Sequence, residues 1–242
     1  MPEAGRPQFR STISRGKANV CACVWPVADA DEGRRARTHD RLAVFWSLQM
    51  IRLALLILRL ARCWPIYALY RLSPARKVLD GDIERWRSRE KVSWSGALAF
   101  FALMGHEGFR SVVYYRIPEA RFFRWLAGAG VPALYINTPD IGPGLYFQHG
   151  FATIVHARSI GRNCFINQQV TVGFHGEEHA PVIGNNVSIR AGAKVIGELT
   201  VGDNAIVGAG AVVTKSVPPD CVVVGNPAYI VRKNGERCRE PL

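Results

Sequence analysis

The chain lacks several features that would class it at once. It has six cysteines (Cys21, Cys23, Cys63, Cys164, Cys221 and Cys238) but no paired CxxC motifs. Zinc sites built on that spacing are therefore excluded. It has no charge-free run of about 20 apolar residues, the length a spanning helix needs. Arg52, Arg59 and Arg62 interrupt the apolar stretch over residues 42–72, and Pro65 follows. The stretch begins too late for a signal peptide and has no small-residue cleavage site. With unpaired cysteines, the expectation is a reducing, cytoplasmic compartment, at the inner face of the membrane if residues 42–64 bind there.

Net charge is nearly absent from the second half. The whole chain carries +12. Residues 1–80 hold 14 Lys/Arg against 6 Asp/Glu, and residues 81–131 hold 8 against 5. Residues 132–242 hold 9 against 8, which excludes a nucleic-acid-binding surface there. The basic excess belongs to the N-terminal part.

What the second half does have is a six-residue period. Ile154, Ile160, Ile166 and Val172 keep the step, and Ile183, Ile189, Val195, Val201, Val207 and Val213 resume it. Ile141 and Phe147 start the ladder one residue out of phase. Gly often follows the apolar residue, as at Gly142, Gly161, Gly173, Gly184, Gly202 and Gly208. Four residues after the apolar residue stands a small or β-branched one: Cys164, Val170, Val187, Ala193, Ala205 or Ala211. A helix would rotate this face away, because six residues at about 100° each do not return to the start. The hexad marks a parallel β-helix, with one short strand and one tight corner per repeat. The glycines are expected to permit a corner backbone that other residues resist.

Four segments follow. Residues 1–40 have no apolar period and read as a disordered basic arm, its CxC incidental. Residues 41–131 read as helical and begin with an amphipathic basic helix. Its three arginines fall within about 80° of one another. That helix either lies on an anionic membrane through residues 42–64 or packs on a partner with its arginines solvated. Residues 132–232 form the β-helix, and 233–242 a C-terminal tail. The segment from Phe174 to Val182 fits no hexad and must project as a loop carrying His175, Glu177, Glu178 and His179.

Polar residues stand out on such a wall. His149 sits where the phase slips, and histidine is suited to taking a proton near neutral pH. A loop histidine, His175 or His179, would join it from a neighbouring coil and hold a developing oxyanion. His156 reads as a structural residue, and the loop glutamates as solvated.

The segments Ile141-Gly142-Pro143-Gly144-Leu145 through His149-Gly150 resemble the β-helix entry of serine acetyltransferases, hexapeptide-repeat acyltransferases with a left-handed β-helix. Asn167–Gly173, Ala191–Gly197, Gly208–Val213, Val217-Pro218-Pro219 and Val224–Ala228 are similar to the same family. Upstream, Gly108-Phe109-Arg110 with Tyr115-Arg116-Ile117 is similar to its last helical segment. The resemblance implies acetyl-CoA as co-substrate, no required metal, and a homotrimer or dimer of trimers. It implies His149 as general base and His179 as second histidine. It places Gly173, Ala191 and Ala209 along the pantetheine groove and Lys215 at the nucleotide end. The expected acceptor is L-serine. The alternative is a sugar hydroxyl in exopolysaccharide or capsule synthesis, which a related branch acetylates. A zinc enzyme of the carbonic anhydrase kind, using His149, His175 and His179, and a non-catalytic scaffold are further alternatives. The chain departs from the family at Gln148 and Leu134, where carboxylates are usual. It also lacks the terminal Ile through which the family docks its cysteine-forming partner, so that complex is not expected.

Overall fold

The computed structural model describes residues 32–174 and 180–242, with side chains from residue 49 onward. The reading of residues 1–31, Cys21 and Cys23 included, lies outside the described residues, as do His175, Glu177, Glu178 and His179, while residues 32–40, read as the end of a disordered arm, are instead the start of the first helix.

Five helices come first: α1 (Glu32–Leu72), α2 (Arg76–Arg89), α3 (Gly96–Leu103), α4 (Glu107–Arg116) and, after a 3-10 turn over Pro118–Phe123, α5 (Arg124–Ala127). The first helix runs on through Pro65. Its Leu56, Cys63, Ile66 and Tyr70 are buried, and Tyr70 stacks on Phe100 of α3 at 5.2 Å. Two of the three arginines are not solvated in the way the sequence suggested. Arg59 donates to the Ala102 carbonyl at 3.1 Å and Arg62 to Leu126 at 2.7 Å. Both satisfy carbonyls at helix C-termini, where a cation also meets the negative end of the helix dipole.

The second half is a left-handed parallel β-helix of about 4 turns: the hexad predicts the parallel coil, and the family resemblance its hand. Its first sheet stacks Leu134–Ile136, Thr153–Val155, Thr171–Gly173, Lys194–Ile196 and Val212–Val213. The second stacks Asp140–Ile141, Ser159–Ile160, Val182–Ile183 and Thr200–Val201. The third stacks Tyr146–Gln148, Phe165–Asn167, Ser188–Ile189, Ile206–Val207 and Cys221–Val224. Antiparallel strands Tyr229–Lys233 and Glu236–Pro241 then close the third sheet's edge.

The inward ladder is the predicted one with one exception. Val155, not Ile154, points into the core; Ile154 is 44% exposed. The extra residues sit in the corner His149–Ala152, where His149, Gly150 and Ala152 all have positive φ. Every predicted small position is buried, and burial pushes the Cys164 thiol up to about 11. Cys63, Cys221 and Cys238 are also free thiols.

The corner glycines have a different reason from the one expected. Gly142, Gly161, Gly184 and Gly202 do not need a left-handed backbone. A Cβ on each would come within 2.9 Å of backbone in the next coil. They are glycine because coils stack about 4.8 Å apart. The left-handed corners instead use Asn163, Asn186, Asn204 and Asp220. Asn186 Nδ2 donates to Asn204 Oδ1 at 3.0 Å, and Asn204 Nδ2 to Asp220 Oδ1 at 2.9 Å. Asn and Asp tolerate this conformation, and their side chains run a polar ladder down the corner. Gly173 differs from the stacked set: a Cβ there would meet only Thr171 Cγ2, at 3.9 Å.

One buried charge pair fixes the helices on the first coil. Asp82 of α2 is fully buried and meets Arg116 of α4 at 2.9 Å. The Asp82 carboxylate accepts from the Gly144 and Leu145 amides at 2.7 and 2.8 Å. Arg116 donates onward to the Ile141 and Gly142 carbonyls. Trp86 Nε1 donates to the Leu145 carbonyl at 2.9 Å. Gly108 lets α4 approach, because a Cβ there would sit 2.6 Å from the Trp86 ring.

Two outcomes follow for stability. Asp82→Ala leaves a buried guanidinium without its counter-charge and two amides unpaired, so urea unfolding should show a loss of about 3–5 kcal/mol. Gly202→Ala should cost about 1–3 kcal/mol by overpacking. Gly173→Ala should stay within about 0.5 kcal/mol. Equal losses at the two glycines would contradict the stacking account.

Candidate active site

His149 follows the strand Tyr146–Gln148 and begins the irregular corner between the third and first sheets. Its backbone is left-handed (φ 66°) and its side chain is exposed. Among the described residues its imidazole has no hydrogen-bond partner. Leu134, at the position where the family resemblance implies a carboxylate, instead packs beside this corner: its Cδ2 lies 3.5 Å from where a Gly150 Cβ would be. Gln148 accepts from Asn167 Nδ2 at 3.3 Å.

The carboxylate in this region comes from the helices. His149 and Gln148 line an open groove of about 810 Å³ together with Trp86 and Arg89 of α2, Glu90 just after its end, and His106 just before α4. Glu90 Oε1 accepts from the Tyr146 hydroxyl at 2.7 Å, and Glu90 Oε2 lies 3.7 Å from His106 Nδ1. Burial, then the bond to Glu90, pushes the Tyr146 phenol well above its ordinary range. It therefore stays protonated and keeps donating. Tyr146 lies 4.4 Å from Trp86 and stacks on Phe165 at 5.5 Å, which holds it rigid. The guanidinium of Arg89 stands 5.2 Å from the Phe165 ring and that of Arg190 stands 4.8 Å from it. Nothing in the six-residue period pointed to Glu90, His106 or Tyr146. Glu90 and His106 cap helices, and only the tertiary fold brings them into the groove of His149. The one signal in sequence was a polar pair flanking an aromatic-rich helical segment.

The groove predicted for pantetheine divides in two. Ala191 and Ala209 lie on the same corner column as His149, one and two coils beyond Gln168. Gly192 N donates to Gln168 O at 3.0 Å, and Gly210 N to Ala191 O at 2.9 Å. From His149 to Ala209 is three coil spacings, about 14 Å. Side chains along this column are small, so an extended chain could lie against the backbone. Gly173 and Lys215 lie at the opposite edge of the first sheet. Gly173 pairs with Ile196, and Lys215 follows the strand Val212–Val213. Lys215 Nζ donates to the Leu242 carbonyl at 2.9 Å. Phe174, the last described residue before 175–179, follows Gly173 at this same edge. Within one chain, then, His149 and Phe174 flank opposite edges of one sheet. His156 packs edge-on against Phe174 at 4.5 Å, a structural role as expected.

Comparison with known proteins agrees with this geometry. Residues 180–215 match the family described as bacterial transferase hexapeptide (six repeats). The chain is 40% identical over 106 residues to serine acetyltransferase from Synechococcus elongatus, which covers 42% of this chain and 43% of that protein. It is 44% identical over 102 residues to serine acetyltransferase from Staphylococcus xylosus, covering 40% of this chain and 47% of that one. The chain thus spans less than half the length of these curated relatives. Among solved structures, serine acetyltransferase from Neisseria gonorrhoeae aligns with a TM-score of 0.53 at 26% identity, covering 72% of both chains. Soybean serine acetyltransferase aligns at 0.50 and 27% identity, covering 84% of this chain and 94% of that one. The second half of this chain thus contains a match to the bacterial transferase hexapeptide family over residues 180–215 and is similar in sequence and fold to serine acetyltransferases.

Proposed function

We propose that the protein transfers the acetyl group of acetyl-CoA to the hydroxyl of L-serine. The observation that carries this reading is the presence of His149 and Glu90 in the lining of one groove, on a coil similar to serine acetyltransferases. His149 takes the hydroxyl proton as the serine oxygen attacks the thioester carbonyl. A C–O bond forms, the C–S bond breaks, and the proton passes to the departing thiolate to give the CoA thiol. Glu90, fixed by Tyr146, offers a carboxylate to the serine ammonium. That answers the absence of acids at Gln148 and Leu134, and it favours an amino-acid acceptor over a neutral sugar.

The column below His149 suits the pantetheine arm, since Ala191 and Ala209 leave backbone accessible there. Gly173 and Lys215 serve the opposite edge of the sheet. A site that uses both edges needs two copies side by side, which a trimer about the coil axis provides. His179, in the loop of one copy, then faces His149 of the next and holds the oxyanion. Trimers can pair through their helices into a dimer of trimers. No metal enters this chemistry. The buried thiols of Cys63, Cys164 and Cys221 suit the reducing cytoplasm, where we place the reaction.

Steady-state kinetics of purified variants test these roles. His149→Ala should keep its fold and lower kcat by about 10²–10⁴-fold. Glu90→Gln should raise the KM for serine by about 10-fold or more, the loss of one charge-assisted bond, and leave the KM for acetyl-CoA unchanged. Near-normal turnover in His149→Ala removes the base. An unchanged serine KM in Glu90→Gln would remove Glu90 as the partner of the serine ammonium.

A further inference from the structure

The first helix carries a second feature, unrelated to acetyl transfer. Its buried stripe, Leu56, Cys63, Ile66 and Tyr70, faces α3 and the other helices. At about 100° per residue, Arg52, Arg59 and Arg62 fall on or beside that stripe. Most of the remaining surface between residues 50 and 64 is exposed and apolar. Met50, Leu53, Ile57, Leu60 and Trp64 mark its centre, with Met50, Ile57 and Trp64 at 63, 58 and 61% exposure. Ile51, Leu55 and Leu58 widen it to one side and are also exposed. From Leu60 round to Ile51, residues 50–64 cover about 180° of the circumference without one charged residue, and exposed Arg62 stands at the edge of that arc, between Ile51 and Leu55.

The width decides what covers this face. A helix pair buries a seam of two residues per heptad and keeps the flanking positions polar. Here the flanks are leucine and isoleucine, so a second copy would leave half of the face in water. A bilayer takes the whole arc. The helix cannot span it, because the stripe on its other side is packed into the protein. It therefore lies in the plane of the membrane, with the folded domain as its polar face.

The neighbouring element extends the same surface. Ala127 of α5 shares a cleft with Leu55 and Leu58, and Arg62 is bonded to Leu126. The 3-10 turn and α5 expose Phe122 at 80% and Trp125 at 79%, beside exposed Arg121 and Arg124. Aromatic rings next to arginines are the composition of a membrane–water interface. No acidic residue occurs from 49 to 79, while Arg52, Arg59, Arg62, Arg71, Arg76 and Lys77 do. The charge complements an anionic leaflet.

From this geometry we infer that α1 and the Phe122–Trp125 segment form a docking surface for an anionic lipid bilayer, which holds the protein peripherally. Flotation of the full chain with vesicles tests it. Vesicles of phosphatidylcholine with phosphatidylglycerol should carry the protein. Those of phosphatidylcholine alone should carry less, and the difference should shrink with salt. Ile57→Asp, an exposed position that the fold does not use, should lower the bound fraction at least 10-fold. Trp125→Ser should lower it by a smaller factor. Brominated lipid should quench tryptophan fluorescence in the unaltered protein, a readout that needs no variant. The inference fails if the unaltered protein does not float, if Ile57→Asp floats equally well, or if bromine does not quench. It also fails if Ile57→Asp reduces the native mass in sedimentation without vesicles, which would assign the face to a second copy.

Discussion

The salt bridge between Asp82 and Arg116 sets where everything else in the site can be. Two charges taken out of water are stable only with their remaining hydrogen-bonding groups satisfied, and here the backbone of the first coil does that. Asp82 receives the Gly144 and Leu145 amides, and Arg116 gives to the Ile141 and Gly142 carbonyls. The pair thus joins α2, α4 and the entry of the β-helix at one point. Glu90 lies two helical turns beyond Asp82, and Trp86 lies between them, bonded to Leu145. The helical wall of the groove is positioned against His149 by this one anchor.

The coil contributes regularity and one departure from it. Stacked backbones, glycine corners and an asparagine ladder leave little freedom anywhere along the wall. The corner at His149 takes extra residues, moves the inward position from Ile154 to Val155, and turns the imidazole outward. A regular hexad would have set a small residue at this place, as it does at Ala191 and Ala209. The chemistry sits where the repeat is broken, and the binding surface where it is kept.

The coil was legible because its core is periodic: an inward residue every six positions needs no tertiary information. His149 was legible for the same reason, as a polar residue at a phase slip. The purpose of the glycines was not, since sequence shows a small residue but not whether its backbone or its neighbour demands it. Gly142 and Gly202 answer to the neighbouring coil, and Gly173 to neither. Glu90 and His106 were hidden because residues at helix ends have no period that points at a distant strand. Arg59 and Arg62 looked like a charged face, and their helical spacing was read correctly. Their partners, carbonyls at the ends of α3 and α5, exist only after packing.

The most direct measurement is the release of CoA thiol from acetyl-CoA by the purified protein, with and without L-serine. The account predicts release that depends on serine and saturates with it. Binding of CoA with no serine-dependent release would contradict it.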